Sequence, residues 1–277
     1  MVLEGLETLY VLAQEGTMGK AGSRLYISQS AVSKRIANLE ARLGKKLIEP
    51  HGRHIRLTVE ALELLENVEP ELVRLKGLLF DHQHITDTST LQIAASETVL
   101  AAYLGAFIRE YLQHDSALNF STHHTPLILE KVRSGEAALG VCAGRLANVS
   151  GLIIDELLEE ELLLVYPQPL PSIRDLKILT IDLNNPANSY LQAQLMQIGL
   201  TPMMQMDSYF AVAHLGLSGV APALVPRGII NVMDVSSHYI HSLPEPLSRP
   251  ISLCYRPKTL QRTRIKKLRE KLLASFK

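Results

Sequence analysis

The chain has 277 residues, 47% of them hydrophobic and 20% charged, and its 28 basic and 28 acidic residues cancel. This size and composition predict a folded protein with two or more domains and exclude an intrinsically disordered chain. No run of about eighteen apolar residues predicts a membrane span, and the first residues do not resemble a signal peptide. Because the two cysteines, Cys142 and Cys254, are too few for a disulfide framework, we expect a cytoplasmic protein.

The zero net charge hides a basic segment between Lys20 and Arg56. Nine Lys and Arg residues in this segment stand against two carboxylates, Glu40 and Glu49, which is a local balance of +7. A basic module joined to a mildly acidic remainder favours nucleic acid as a partner of the module. An ordinary solvated basic face would produce the same pattern.

Two short helices are predicted at the start of the chain. The apolar spacing from Leu3 to Ala13 predicts a helix that ends near Gly16. Thr17 can then cap a second helix that reaches about Leu25.

The third helix, Ser28 to Leu43, is the central feature of the basic segment. One face is apolar, at Val32, Ile36, Leu39 and Leu43. Ser28 can cap its start, and Gly44 suits the position after its end. The opposite face is short, polar and cationic, which suits the major groove of DNA. A surface helix that meets only water is the alternative.

A short hairpin and a long helix follow. Residues 47–48 and 55–57 are predicted as extended pieces around a turn, and Thr58 begins the helix. Pro70 should kink or break that helix, because it removes a backbone hydrogen bond. Apolar residues spaced by three and four predict either a dimer seam or packing onto the domain's own core. These residues are Leu65, Val68, Leu72, Leu75 and Leu79.

Strands and helices alternate in the remainder, after a polar stretch at 82–89 that we take as the domain boundary. Strands are predicted at 91–95, 118–122, 138–142, 162–166, 178–181, 203–206, 223–225 and 251–255. Helices are predicted at 96–111, 125–135, 192–198, 209–217 and 260–276. Such units predict a parallel sheet that binds ligands at the carboxyl ends of its strands.

The first sixty residues resemble the winged helix-turn-helix of the LysR-type transcriptional regulators. The matching residues are Leu6, Leu9, Tyr10, Glu15-Gly16-Thr17, Ala21, Leu25, Ser28-Gln29, Ala31-Val32-Ser33, Ile36, Leu39-Glu40, Leu43-Gly44, Leu47, Arg53 and Leu57-Thr58. The chain departs from the family at Gly22, Ser30, Ile48, Pro50 and Ala61, where Ala, Pro, Phe, Arg and Gly are usual. Residues 135–139 and 219–226 resemble segments of the family's effector-binding domain more loosely.

The resemblance implies an N-terminal all-α winged helix-turn-helix with a linker helix, followed by an α/β effector domain like a periplasmic-binding protein. The implied ranges are 1–60 for the DNA-binding domain, 58–88 for the linker and dimerisation helix, and 89–277 for the effector domain, with subdomain I at 89–163 and 235–277 and subdomain II at 164–234.

The resemblance and the polar face of the third helix together assign the candidate DNA contacts. Gln can pair with adenine, Ser suits phosphates or base edges, and Lys and Arg supply salt-sensitive phosphate contacts. The candidates are Gln29, Ser30, Ser33, Lys34, Arg35, Lys46 and Arg53.

For a small-molecule effector, the resemblance implies a cleft at the ends of the first strands. Helix N-termini that carry hydroxyl residues attract anions, although helix capping alone would explain the same residues. Burial as a small apolar side chain would equally explain the cysteine. The candidates are Ser96, Thr98, His124, Thr125, Cys142, Gly144 and Asp207.

We therefore predict a sequence-specific DNA-binding transcriptional regulator that acts as a homodimer or dimer of dimers under the control of a small-molecule effector. The resemblance also admits RNA polymerase as a partner. An effector-independent regulator, a ligand-binding or enzymatic protein with a vestigial DNA-binding module, and a purely structural dimer stay open as alternatives. We expect no enzyme activity, metal or cofactor. The sequence has no Gly-x-Ser-x-Gly, His-Glu-x-x-His or glycine-rich phosphate loop, and the His123-His124 pair lacks further ligands at metal spacing.

Overall fold

The structure, a computed structural model, describes residues 2–51, 54–82, 89–170, 173 and 175–276. They form two compact units that divide between Lys76 and Gly77. Within the described ranges, no helix has the length and apolar character that crossing a membrane would require.

The first unit contains three helices, a two-stranded hairpin and the start of a long helix. Its elements are α1 (Val2–Glu15), α2 (Met18–Leu25), α3 (Gln29–Leu43), β1 (Ile48–His51), β2 (His54–Leu57) and α4 (Val59–His82). The predicted winged helix-turn-helix is confirmed. Its core is formed by apolar side chains of all four helices and of the segment before the wing, among them Leu9, Ala21, Val32, Ile36, Leu39, Leu47 and Ala61.

The predicted caps hold the ends of the short helices. Thr17 Oγ1 accepts a hydrogen bond from the backbone N–H of Lys20 at 3.3 Å, and Ser28 Oγ accepts one from Ala31 at 3.2 Å. Gly44 follows α3 in the left-handed conformation, with φ of 66°. Local sequence signals therefore set the start of α2 and both ends of α3.

The expected break of the long helix at Pro70 is wrong, because α4 continues through this residue. A proline removes only one backbone N–H from the ladder. Buried Leu65 and Leu72 hold the turns on either side of it against the unit's core, so the helix persists.

The predicted seam on α4 also needs correction. Leu65 and Leu72 are buried in the core of the first unit and Val68 packs against it, so these three side chains follow the alternative interpretation, packing onto their own domain. Leu75 and Leu79 are exposed. The spacing in sequence could not separate the two because a core-facing stripe and a dimer seam share the same period.

The second unit is built on one nine-stranded mixed sheet. Its strands are β3 (Leu91–Ala95), β4 (Leu118–Thr122), β5 (Leu139–Ala143), β6 (Ile153–Val165), β7 (Leu176–Ile181), β8 (Leu200–Met206), β9 (Ala223–Pro226), β10 (Ile240–His241) and β11 (Leu247–Tyr255). The order is β4-β3-β5-β11-β6-β9-β7-β8, with β10 also paired to β6. The predicted parallel pairing is confirmed for β4-β3-β5 and for β9-β7-β8, but β6, β10 and β11 pair antiparallel with their neighbours, so the sheet is mixed.

Helices pack on both halves of this sheet. They are α5 (Glu97–Val99), a π-helical turn (Leu100–Leu104), α6 (Gly105–Leu112), α7 (Thr125–Ser134), α8 (Tyr190–Gln197), α9 (Tyr209–Leu217), α10 (Arg227–Val232) and α11 (Thr263–Ser275), with 3₁₀ turns at Ser237–Tyr239 and Pro257–Gln261. The helix predicted at 96–111 is thus interrupted by the π turn, and α10 was not predicted.

The second unit has three hydrophobic clusters, and β6 and β11 pass between the two largest, a first core that includes Ile93 and Leu139 and a second core that includes Leu179 and Leu224. In β6, Leu158 packs against the first core and Leu162 lies in the second. In β11, Leu247 lies in the second core and Ile251 in the first. Residues 235–246 supply side chains to the second core, so the subdomain boundary that was predicted at 234/235 moves to β11.

Candidate functional site

The exposed face of α3 carries the predicted DNA-reading residues. Gln29, Ser30, Ser33 and Lys34 are all exposed, while the opposite side of the helix is buried. Ser30 Oγ lies 2.9 Å from the capping Ser28 Oγ, and Ser28 acts as the cap that the sequence predicts. The helix therefore presents a rigid polar surface at its N-terminal half.

Ion pairs separate the basic residues of the segment into two groups. Four of the nine pair with carboxylates of the same unit: Arg24 with Glu15, Arg35 with Glu4, Lys46 with Glu40 and Arg56 with Glu49. In the part of the segment that the structure describes, Lys20, Lys34, Arg42 and Lys45 form no ion pair.

Two of the predicted DNA contacts, Arg35 and Lys46, are engaged in these ion pairs. The Arg35 guanidinium lies 3.9 Å from Glu4 on α1, because its position on α3 faces that helix and not the open face. Lys46 Nζ lies 3.0 Å from Glu40, although the side chain is still mostly exposed. Arg53 lies outside the described residues. Lys34 is the predicted cation that the structure leaves available.

Glu40 joins the recognition helix to the wing. Its carboxylate accepts hydrogen bonds from the backbone N–H groups of Leu47 and Ile48, at 2.8 and 3.3 Å, and from Lys46 Nζ. Burial raises the pKa of Glu40, but these hydrogen bonds outweigh burial and leave the pKa below its ordinary value. The Thr58 hydroxyl donates to the Lys46 carbonyl and so links the segments before and after the wing.

Tyr26, which lies in the turn before α3, was not among the predicted site residues. This residue caps α2 in the left-handed conformation, with φ of 56°, and its side chain is 95% exposed. The turn also packs closely on α2, because a Cβ on Gly22 would lie 2.7 Å from the Ile27 carbonyl oxygen. A larger residue at position 22 would clash with this turn, so glycine fits there although it lowers the intrinsic stability of α2.

A polar cleft of about 290 Å³ lies at the carboxyl ends of the parallel strands of the second unit. Five of the seven predicted effector residues line it: Ser96, Thr98, His124, Thr125 and Asp207. These residues follow β3, β4 and β8, as the rule for parallel α/β sheets predicts.

The hydroxyl residues of the cleft do not act as helix caps. Ser96 and His124 stand at N-cap positions without a side-chain cap, and Ser96 Oγ lies 3.2 Å from Thr98 Oγ1. Thr125 Oγ1 donates to the carbonyl of Ala143 at 2.7 Å and accepts from its N–H at 3.2 Å. Capping alone therefore does not explain these residues.

Cys142 and Gly144 are not among the residues that line the cleft. Cys142 is fully buried, with its Sγ 3.7 Å from Cys254 Sγ, because alternation along β5 turns it to the face opposite that of Ala143. Its hydrogen bond with Cys254 and its burial raise its pKa. Gly144 has φ of 90°, and a Cβ there would lie 2.3 Å from the Ala187 carbonyl oxygen. Its role is backbone conformation.

A buried ion pair at the cleft was not predicted from the sequence. Arg249 of β11 and Glu160 of β6 are directly paired in register, and their side chains are 4% and 1% exposed. Glu160 also accepts hydrogen bonds from Tyr103 Oη at 2.7 Å and from the Gly228 N–H at 2.8 Å. Arg249 Nη2 donates to Thr98 Oγ1 at 2.9 Å.

Tyr209, also missed, forms part of the cleft wall. Its ring centroid lies 4.9 Å from the Arg249 guanidinium carbon, and its hydroxyl makes no hydrogen bond with any described residue. Burial raises the pKa of Tyr209, which outweighs the opposing effect of Arg249 and keeps the phenol protonated at neutral pH. A lone Arg at 249 and a run of three glutamates at 159–161 were the available signal, but sequence does not indicate which charges pair.

No cluster of three or more His, Cys, Asp or Glu side chains that could hold a metal ion occurs within the described ranges. Burial lowers the pKa of His123, which favours its neutral form.

Two family models match the chain. Residues 3–62 match the bacterial regulatory helix-turn-helix of the lysR family, and residues 85–277 match the LysR substrate binding domain. An HTH-type transcriptional regulator of Vibrio cholerae serotype O1 is 45% identical over 270 residues, which cover 97% of this chain and 94% of that protein.

Solved structures share the fold over the full chain. A full-length cysteine-to-aspartate variant of OxyR from Pseudomonas aeruginosa superposes with a TM-score of 0.63 at 19% identity, covering 100% of this chain and 94% of that one. Full-length CbnR complexed with its target DNA superposes with a TM-score of 0.51 at 21% identity and covers all of both chains.

Proposed function

The chain belongs to the LysR family of transcriptional regulators, with a helix-turn-helix DNA-binding domain and an effector-binding domain, and we propose that a small molecule in the cleft controls how it binds DNA. The observation that carries this proposal is that five residues from separate strand ends meet at one polar cleft in a chain whose other unit presents a DNA-reading helix.

The DNA contacts that we propose lie on the exposed face of α3. Gln29 reads a base, Ser30 and Ser33 contact base edges or phosphates, and Lys34 contacts a phosphate. The support is their joint exposure and the absence of any ion pair at Lys34 within the described part of the chain. CbnR, which shares this fold, has been solved with its target DNA.

Selection of high-affinity duplexes from random DNA, followed by fluorescence anisotropy at several salt concentrations, tests these contacts. Lys34→Ala should weaken binding to all sequences and reduce the salt slope by about one ion. Gln29→Ala should relax selectivity at one base pair, by about 1–3 kcal/mol. Lys177→Ala, an exposed lysine of β7, is the matched control. An unchanged salt slope in Lys34→Ala would exclude its phosphate contact.

We propose that the exposed apolar side chains of α4 mediate self-association into a dimer or a dimer of dimers. These side chains are Val59, Leu62, Leu75, Leu78 and Leu79, of which Val59 is the most exposed. Sedimentation velocity of Leu62→Asp and Leu79→Asp should show dissociation, whereas Val220→Asp, an exposed apolar site elsewhere, should not. Sedimentation of both α4 variants like the parent protein would remove α4 from the interface.

The effector acts, in this proposal, by favouring one geometry of the assembly over another, which changes the spacing of the paired recognition helices. We propose a bacterial cytoplasmic location, because the DNA target lies there, and RNA polymerase as a further partner at activated promoters. Transcription reconstituted in vitro, with and without a ligand that shifts the melting temperature, tests the regulation. A ligand that binds the cleft and leaves both DNA binding and transcript level unchanged would contradict it.

A further inference from the structure

One side of the cleft presents hydrogen-bond donors that the protein does not use. Arg249 is 3% exposed, and its Nε and Nη2 are taken by Glu160 and Thr98, while Nη1 bonds to no described residue. Beside it, the hydroxyl of Tyr209 is buried and also without a partner in the described structure. Buried donors are normally satisfied, so the buried Tyr209 hydroxyl beside the unpaired Arg249 Nη1 indicates an acceptor on the ligand.

Two helix N-termini add to this donor side. Helices α7 and α9 begin at the cleft, at Thr125 and Tyr209, and neither has a side-chain cap. Helix starts without a side-chain cap have unpaired backbone N–H groups that suit a carboxylate, although Pro126, in the first turn of α7, supplies none. Arg249 and Tyr209 are independent, buried donors that also favour a carboxylate.

The rim of the cleft has the opposite character. Glu97 and Asp207 line the cavity and are exposed, and their side chains form no hydrogen bond or ion pair with any residue in the described ranges. Since Glu160 already balances the charge of Arg249, these two carboxylates leave the cleft with a formal excess of negative charge. A ligand that carries only negative charge would be repelled there, whereas a ligand with an added cationic group would be attracted.

The volume of the cleft limits the size of the ligand. A volume of about 290 Å³ lies at the small end of the range for ligand pockets. From the donor side, the acidic rim and this size, we propose that the ligand is a small zwitterion of the amino-acid class. Its carboxylate binds at Arg249 and Tyr209, and its ammonium group binds at Asp207 and Glu97. This assignment rests on the proposed effector function of the cleft.

Matched probes test the assignment on the full-length protein by thermal shift, followed by calorimetric titration. The panel contains the twenty amino acids, simple carboxylic acids, sugars and phosphate esters. For each amino acid that binds, its deaminated acid and its decarboxylated amine are titrated too. Both analogues should bind at least tenfold more weakly than the parent amino acid.

Variants separate the two ends of the ligand. Asp207→Asn should weaken the amino acid about tenfold and leave its deaminated acid unchanged or tighter. Tyr209→Phe should weaken both, because it removes a donor from the carboxylate side. Glu245→Gln, an exposed acid that does not line the cleft, should change neither affinity.

The outcomes distinguish this assignment from the effector function on which it rests. If carboxylic acids, sugars or phosphate esters bind in the cleft without any gain from an amine, the zwitterion assignment is overturned and the effector function stands. If no compound shifts the melting temperature or changes DNA binding, both are overturned. Tighter binding of the parent amino acid to Asp207→Asn would also overturn the assignment.

Discussion

Replacing Glu160 with glutamine should destabilise the second unit strongly. The change leaves the Arg249 side chain, which is only 4% exposed, without its counter-charge. Breaking a buried ion pair by removing one partner costs about 3–5 kcal/mol. For a unit of about 200 residues, each kcal/mol shifts the melting temperature by about 2–4 °C, so we expect a fall of about 6–20 °C.

Scanning calorimetry of the full chain measures this fall, with a control in the next residue. Glu161 pairs with Arg227 at the surface, where an exposed ion pair contributes at most about 1 kcal/mol, so Glu161→Gln should have little effect. The double variant Glu160→Met/Arg249→Met should recover most of the loss, because it leaves no unpaired buried charge. The reasoning is refuted if Glu160→Gln behaves like Glu161→Gln, or if the double variant is no more stable than Glu160→Gln.

Three further changes test the packing described above. Glu40→Gln should cost about 1–3 kcal/mol at neutral pH. Folding lowers the pKa of Glu40, so the stability that its carboxylate contributes is present above the ordinary pKa of 4.5 and is lost as the pH falls through the folded pKa. The melting temperatures of the variant and the parent protein should therefore converge in acid. A difference in melting temperature that stays constant with pH would contradict this. Gly77→Ala should destabilise the chain, since its Cβ would lie 2.1 Å from the Arg133 carbonyl oxygen. Gly105 has open space around it, so Gly105→Ala should raise the free energy of unfolding by up to about 1 kcal/mol. Denaturant titration measures both changes, and stabilisation of both variants would contradict this. The two buried thiols should react with a disulfide reagent only after unfolding, and rapid reaction in the native state would contradict their burial.

The elements with local signals were predictable from the sequence. The cap hydroxyl of Ser28, the glycine at position 44 and the apolar spacing of α3 act over a few residues, and the structure has them as expected. The strand at 91–95 was predicted with its observed bounds for the same reason, since it is a short apolar run between polar residues.

Long-range pairing accounts for most of what the sequence left out. The acidic half of β6, residues 153–161, does not resemble a strand because glutamate is depleted in strands. It forms one because β11 and α11 supply partners for its carboxylates, as Arg249 does for Glu160 and Arg269 does for Asp155. The donor side of the cleft escaped prediction for the same reason, since Arg249 and Tyr209 are brought to the cleft by β11 and α9 from distant parts of the chain.

The passage of β6 and β11 between the two cores has a consequence for how the effector domain is assembled. Leu162 and Leu247 are cross-strand partners, so the chain leaves the first core and returns to it at adjacent points. The second lobe is thus an insertion whose two ends lie side by side, as the arms of a hairpin do. A tight turn that joins the two strands at this point could replace the whole inserted lobe and leave the first lobe as one continuous sheet. Nested architecture of this kind allows one lobe to diversify while the other keeps its strand pairing.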